Sequence, residues 1–467
     1  MKRGTSMKLI PALVLGVCSG YASAGGFQLL EQNASGQGTA YAGTAVSADD
    51  ASTVFTNPAG MAMLPQGKKS FSVNLSAIQP QAKFSSSGSV AATLQTLGSG
   101  NGGDAGGLAF VPSVYVVMPI NNQISLGLGM NAPFGLKTEY DSGWAGRFQG
   151  VKSDVKTMNL NPSISFKASD TVSLGFGLNY QQLKGEFTSA VNYAGSVFQA
   201  AATPAAAGGL GMTLAQAAGL AGAAGEGTGK ITGDDTTWGY NFGAIFQVSP
   251  ATRLGLSYRS AMKYHLTGTA DFSRLAATSV TNATVNAILG SAASAARGGA
   301  IYADIKLPDT LTFSAQTKLN DKWDLVGDLA WTGWSKIPDL TFKYQDNSST
   351  VSSTPENWRD TWRLSLGAIH RYNDTWKARF GIAYDQTPVG DDLRRTVRLP
   401  DSNRVWVSLG GQYRMNKDSA IDFGYSHLFI KDGSMNNNAG STAGYGLLLG
   451  TYKNSVDILG VQYSTAF

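Results

Sequence analysis

From Ser70 to the end of the chain, apolar and polar residues alternate in short runs bounded by Gly, Asn, Asp and Ser, the period-2 signature of half-exposed strands. Fourteen such runs are legible: 70–80, 109–119, 123–131, 155–167, 172–186, 237–248, 252–269, 308–319, 323–332, 362–372, 376–385, 404–415, 419–429 and 454–467. Their connections alternate in length. Short ones span Pro119 to Gln123, Ala168 to Thr171, Ser249 to Ala251, Asn320 to Lys322, Asn373 to Thr375 and Asn416 to Asp418. Long ones cover 81–108, 132–154, 187–236, 270–307, 333–361, 386–403 and 430–453. An even strand number, tight turns on one side and long loops on the other are the rules of an outer-membrane barrel. The expected fold is all-β: a 14-stranded antiparallel transmembrane barrel.

The stripes identify the two faces. Trp323, Leu325, Gly327, Leu329 and Trp331 suit lipid, while Asp324, Val326, Asp328 and Ala330 point to the lumen. Trp376, Phe380, Ile382 and Tyr384 oppose Lys377, Arg379 and Asp385, and Trp362, Leu364 and Leu366 oppose Arg363. Tryptophan and tyrosine at the ends of apolar stripes belong to a membrane interface and argue against a soluble sandwich. The last strand ends Leu459, Val461, Tyr463, Thr465, Phe467, the form that barrel-assembly machinery recognises in outer-membrane proteins.

The start of the chain has a different character. Lys2, Arg3 and Lys8, the apolar run Leu9 to Val17 and Ala22-Ser23-Ala24 read as a cleavable secretory leader, residues 1–24. Val17 before Cys18 and the good cleavage site after it argue against lipidation at that cysteine. Residues 25–68 are rich in small residues, carry Asp49-Asp50 and show no alternation, so they are expected to form a hatch inside the barrel of 69–467.

Composition agrees. Charged residues make up 14% and aromatics 10%, with 57 glycines, yet mean hydropathy is only −0.09. No segment reaches the roughly 18 apolar residues of a membrane helix. Without the three leader cations the formal +5 falls to about +2, and no basic run or nucleic-acid motif accompanies it. The three histidines, His265, His370 and His427, lie on separate strands and form no catalytic or metal-ligand spacing. No enzyme, metal or cofactor is expected. Two long loops are unusually apolar: 190–229, with Met212 to Leu220 as a possible short helix, and 272–297, with Leu275, Val280, Val285, Ile288 and Leu289 at helical spacing. Either they pack on each other or they offer a landing surface for hydrophobic molecules.

The run Gly26-Phe27-Gln28-Leu29, then Ala48-Asp49-Asp50-Ala51, Asn57-Pro58-Ala59, Trp334-Ser335 and Pro400-Asp401-Ser402-Asn403-Arg404-Val405-Trp406 resembles the FadL-type outer-membrane transporters of long-chain fatty acids and related hydrophobic compounds. The resemblance spans the mature chain. It implies a plugged barrel in the bacterial outer membrane that takes up long-chain fatty acids by passive, ligand-gated diffusion. Uptake of aromatic or aliphatic hydrocarbons, or a general porin, are the alternatives. A fatty acid gains about 0.8 kcal/mol for each buried methylene, so the task needs a capture surface, an apolar pocket and an exit that avoids water.

By resemblance, the capture groove falls to Leu210, Met212, Leu214, Leu275, Ile288 and Leu289. The deeper pocket falls to Phe27 and Leu29, with Lys184, Lys343 or Arg404 for the head group. Those cations alternatively pair with wall carboxylates such as Asp324, Asp328, Asp385 or Asp422. The third strand is broken at Asn131-Ala132-Pro133-Phe134-Gly135, where proline removes a ladder donor. Either a lateral exit opens there, faced by Asn57-Pro58-Ala59, or Pro133 only ends a strand. Expected partners are the hydrophobic substrate, outer-membrane lipid, lipopolysaccharide and the assembly machinery, with no nucleic acid, for a monomer.

Overall fold

The computed structural model describes residues 25–202, 214–222, 225–273, 297–437 and 442–467. It is a closed 14-stranded antiparallel barrel. The walls are β1 (Ser70–Ser86), β2 (Ala109–Pro119), β3 (Ile124–Asn131 and Gly135–Glu139), β4 (Lys152–Lys167), β5 (Val172–Val191), β6 (Gly227–Gln247), β7 (Thr252–Arg259 and Met262–Phe272) and β8 (Gly299–Leu307 and Thr310–Lys318). They continue as β9 (Trp323–Thr332 and Asp339–Tyr344), β10 (Thr350–Pro355 and Thr361–Arg371), β11 (Trp376–Asp385), β12 (Arg404–Arg414), β13 (Ser419–Ile430 and Gly433–Asn437) and β14 (Leu448–Ala466). Closure runs from Ser70↔Ala466 to Ser86↔Gly450 between β1 and β14.

All the expected strands are present, and several run farther toward the long-loop end. β5 reaches Val191, β6 begins at Gly227 and β14 at Leu448. Beyond the membrane both strand faces meet water, so the alternation fades while the backbone ladder continues. Exposed Leu325, Leu329, Trp362, Phe380, Ile382 and Leu459 form part of the lipid-facing belt, while Asp324, Asp328, Arg363 and Arg379 are buried on the inner face.

Residues 25–64 run inside the ring of strands and are mostly buried. The segment contains α1 (Ala34–Gln37), α2 (Thr53–Thr56) and a 3-10 turn, Pro58–Met63. Asn33 caps α1 by accepting from Gly36 N at 3.0 Å and donates to Ser52 Oγ at 2.7 Å. Asp50 accepts from Ser35 Oγ at 2.6 Å and Ser52 N at 2.8 Å, folding the segment back on itself. Asp49 instead reaches Arg379 of β11 at 3.3 Å. Ala40 and Tyr41 both hold left-handed φ, 49° and 56°, an uncommon turn for side-chain-bearing residues, and Arg363 donates to Ala40 O there.

Candidate lateral gate and apolar chamber

The third wall is where the barrel is incomplete. β2 and β3 pair from Pro119↔Ser125 to Val114↔Met130. Past Asn131 the chain leaves the ladder, and Gly135–Glu139 pairs only with β4. Ala109 to Ser113 thus keep β1 as a partner on one side and have no β3 partner on the other. Pro133 lies in the break, where its missing N–H costs nothing.

The backbone groups freed by the break are met by the N-terminal segment. Leu29 N donates to Pro133 O at 2.8 Å and Gly135 N to Phe27 O at 3.0 Å, making Gln28↔Phe134 an antiparallel bridge. The Gln32 amide acts as a second short stitch. Its Nε2 donates to Ala132 O at 2.8 Å and to Leu29 O at 3.1 Å, and its Oε1 accepts from Ala132 N at 3.4 Å. Ser113 Oγ and Tyr115 OH of β2 donate to Gln32 O at 2.7 and 3.2 Å. One short strand-like segment thus bridges both edges of the break.

Phe27 and Leu29 lie beside the break but join different apolar clusters. Leu29 packs with Tyr41, Ile78 and Trp406. The Phe27 ring enters an aromatic box, with centroids 5.8 Å from Phe134, 5.2 Å from Trp334 and 5.9 Å from Trp358. Gly26 carries φ +68° with Trp334 against its Cα, so glycine is required for both reasons. Above the box, toward the long loops, the inner wall turns apolar: Leu183, Phe187, Ile231, Leu266, Ile301 and Phe342 join the same cluster. Below it, a cleft is lined by Gln28, Leu29, Phe55, Arg259, Trp334 and Arg363 among others.

The expected head-group cations are not where the task needs them. Lys184 is exposed, because the inner face of β5 takes Leu183 and Phe187 and period 2 turns Lys184 outward. Lys343 lies between inward-facing Phe342 and Tyr344 and also faces away. Arg404 does face in, but it is paired with Asp401 and lies 3.8 Å from Asp385, the wall-network alternative. Asp385 and Asp401 in turn accept from Gly25 N at 2.9 Å and Gly26 N at 3.1 Å, so this cluster holds the start of the segment. Arg371 pairs with Asp324, and Arg379 with Asp422 at 2.5 Å.

Among the arginines with no ion pair among the described residues, three stand beside the N-terminal segment or the apolar chamber. Arg363 donates to Ala40 O and Ser365 Oγ. Arg259 donates to Asn179 Oδ1 and Phe55 O. Arg398, in the loop before β12, donates to Ser153 Oγ at 2.9 Å and stands 5.3 Å from the Phe187 centroid; burial pulls its guanidinium down to about 10. In the box, Glu356 accepts from Trp358 Nε1 at 3.0 Å. Burial pushes the Glu356 carboxyl up to about 8, so it is neutral at neutral pH.

Asn57-Pro58-Ala59 does not face the break. Asn57 Nδ2 donates to Ala45 O at 2.6 Å, Leu256 O at 3.2 Å and Ala244 O at 3.3 Å. Gly243 of β6 admits its side chain, and Gly175 of β5 lies against the Pro58-Ala59 backbone. The triplet anchors the segment to β5, β6 and β7, and Phe27 to Gln32 occupies the break instead. Asn131 ends the first part of β3 and accepts from Asn159 Nδ2 at 3.1 Å. Phe134 donates from its N to Thr157 Oγ1 at 2.9 Å.

Of the expected capture groove, Leu210, Met212, Leu275, Ile288 and Leu289 lie outside the described residues. Leu214 begins a helix, Leu214–Gly222, that lies against the helix Tyr193–Ala202. Trp334, Trp358 and Gln32 are the site residues that sequence reasoning missed. The tryptophans sit beside turn prolines and glycines outside any alternating run, and only the fold brings them onto Phe27.

The family model described as outer membrane protein transport protein (OMPP1/FadL/TodX) matches residues 15–467. The long-chain fatty acid transport protein of Escherichia coli strain K12 is 31% identical over 431 residues, covering 89% of this chain and 90% of that one. Outer membrane protein P1 of Haemophilus influenzae is 32% identical over 447 residues, covering 92% and 90%. Among solved structures, a Pseudomonas aeruginosa FadL homologue superposes with a TM-score of 0.82 at 26% identity, over 94% of this chain and 99% of that one. The Pseudomonas putida toluene transporter TodX shares the fold, with a TM-score of 0.63 at 16% identity, over 96% and 99%. This chain belongs to the OMPP1/FadL/TodX family of outer-membrane transport proteins.

Proposed function

We propose that the protein takes up long-chain fatty acids across the outer membrane by passive, ligand-gated diffusion. Residues 1–24 are the leader, 25–68 the hatch and 69–467 the barrel. A fatty acid enters from the long-loop side into the apolar chamber and competes with Phe27 for the aromatic box. Phe27 and the stitch at the break lie on one short segment, so displacing the ring pulls Phe27 O from Gly135 N and Leu29 N from Pro133 O. The gap between β2 and β3 then opens sideways into the lipid, and the chain leaves without re-entering water. The observation that carries this reading is the pairing of Phe27-Gln28-Leu29 with Pro133-Phe134-Gly135.

The four rings of the box favour a second reading, uptake of aromatic or aliphatic hydrocarbons by the same route. Uptake of labelled oleate, hexadecane and toluene, compared side by side in cells lacking their own transporter, separates the two. Oleate uptake above the empty-vector level supports the first; toluene or hexadecane uptake without oleate supports the second. A large steady single-channel conductance in planar bilayers would replace both with a general porin. The protein acts as a monomer and a transporter rather than an enzyme, with lipid and lipopolysaccharide around it and the assembly machinery engaged at β14.

A further inference from the structure

The outer surface of the barrel carries a feature that neither the gate nor the apolar chamber uses. Where β7 and β8 rise past the membrane belt, their outward side chains change tier by tier with the register. Leu256 opposes Phe313 and Tyr258 opposes Leu311. Trp331 of β9 lies beside Leu311 on one flank, and the exposed Trp238 and Tyr240 of β6 lie on the other. These rings form part of the aromatic girdle at the upper edge of the lipid-facing belt. The next outward tier toward the long loops is Lys263 directly opposite Lys306. Both turn away from the interior, which takes their neighbours Met262, Tyr264 and Leu307.

Like charges placed directly opposite on neighbouring strands destabilise a sheet, so this pair calls for an anion. Among the described residues neither lysine has an ion-pair partner, and the carboxylates nearby are engaged elsewhere. Asp304 meets His265 Nδ1 at 2.7 Å. Asp309 meets Lys336 at 2.5 Å and accepts from the Tyr258 hydroxyl at 3.3 Å. Asp235 accepts from His265 N at 2.7 Å. Higher on the same face, Thr267 is exposed, the Thr269 and Thr232 hydroxyls lie 3.2 Å apart, and Tyr302 stacks on the His265 ring at 5.2 Å. Hydroxyl and imidazole groups in that position can bond the hydroxyls of a sugar.

We infer that Lys263 and Lys306 form a phosphate clamp for the phosphorylated glycolipid of the outer leaflet, the lipid A part of lipopolysaccharide. Its acyl chains lie on Leu256, Leu311 and Phe313, its phosphate reaches the lysine pair just above the girdle, and its sugars meet the polar tiers beyond. A phosphate between two ammonium groups removes their repulsion and gains charge-assisted hydrogen bonds. β7 and β8 lead up into a long loop, the extracellular side of such a barrel. The clamp therefore faces the outer leaflet, where this glycolipid supplies the phosphate. The inference rests on the outer-membrane placement of the barrel and says where the surrounding lipopolysaccharide is held. It is independent of what the barrel carries.

The test titrates the purified protein, in a neutral detergent, with bisphosphorylated lipid A and separately with phosphatidylglycerol, and reads bound lipid by native mass spectrometry. Heat-modifiable migration reports that each variant is folded. Lys263→Gln with Lys306→Gln is expected to bind lipid A about tenfold more weakly or worse, as the loss of two cations at an anionic head group implies. Lys263→Arg with Lys306→Arg is expected to stay within about threefold. Lys184→Gln removes an outward lysine that already faces Asp234 across β5 and β6, and is expected to change nothing. The unaltered protein is expected to bind phosphatidylglycerol about tenfold more weakly than lipid A. Lipid A binding within twofold in the glutamine double variant overturns the clamp while leaving lipopolysaccharide around the barrel. An equal fall in the Lys184 variant overturns it as well, since any surface cation would then do. Phosphatidylglycerol bound as tightly as lipid A, or no lipid A bound by the unaltered protein, overturns the glycolipid as its occupant.

Discussion

Replacing Gln32 by Leu removes the side-chain stitch while keeping its size. Ala132 O and Leu29 O lose their donor at 2.8 and 3.1 Å, and Ala132 N loses a longer acceptor at 3.4 Å. An unmatched buried backbone group costs about 1–3 kcal/mol. The added apolar surface of Leu offsets part of that, leaving a net weakening of about 3 kcal/mol in the docking of the segment. At about 1.4 kcal/mol per decade, the undocked population rises roughly 100-fold. Amide hydrogen exchange reads this directly. Gly135 N and Leu29 N, bonded to Phe27 O and Pro133 O, are expected to exchange about 100-fold faster. Amides of the β1–β2 ladder such as Val73 serve as the unaffected control. Unchanged protection at Gly135 would refute the claim that Gln32 holds the segment in the break.

Three further outcomes follow from the same geometry. Glu31 lies fully buried in the segment with both carboxylate oxygens unpaired, and burial pushes it up from 4.5 to about 7. The docked carboxyl keeps a proton that the undocked one releases, so docking weakens as pH rises from about 4.5 to 7, by about 3 kcal/mol, and is flat above. Spin-label distances between Ser47 and the Asn121 turn are expected to broaden over that window, and Glu31→Gln to abolish the trend. Gly243→Leu places a side chain on Asn57 Oδ1 and is expected to cut oleate uptake at least tenfold while the barrel still shows heat-modifiable migration. Lys184→Ala and Lys343→Ala, both outside the chamber, are expected to leave oleate affinity within twofold by fluorescence titration; a tenfold loss for either would return it to the pocket.

The barrel was legible because lipid outside and a polar lumen inside impose a strict period of two, and Asp324, Asp328 and Arg379 sit where that period puts them. The same period, applied to Lys184 and Lys343, would have turned both outward, since Leu183, Phe342 and Tyr344 claim the inner face. Their assignment came from resemblance and overlooked that alternation. Arg404 was open between head group and wall carboxylates, and only the distances to Asp385 and Asp401 decide it. The plug was visible as a stretch without alternation, but its internal arrangement was not. No local signal says that Phe27 to Gln32, rather than Asn57-Pro58-Ala59, completes the third wall. That depends on contacts about a hundred residues apart in sequence, such as Gln32 with Ala132, and loop closure of that length leaves no periodic trace.

On the proposed route the segment must leave the break before substrate can leave the barrel. Gln28 and Phe134 form a directly opposed pair between two backbone hydrogen bonds, the antiparallel site where Cα atoms approach to about 4.5 Å, within the reach of a disulfide. The chain's single cysteine is Cys18; with Cys18→Ser beside them, Gln28→Cys and Phe134→Cys form one defined cross-link. Oleate uptake should be lost when this variant is oxidised and should return on reduction, which also controls for the missing Phe134 ring. Uptake at the reduced rate by fully cross-linked protein would contradict the lateral gate.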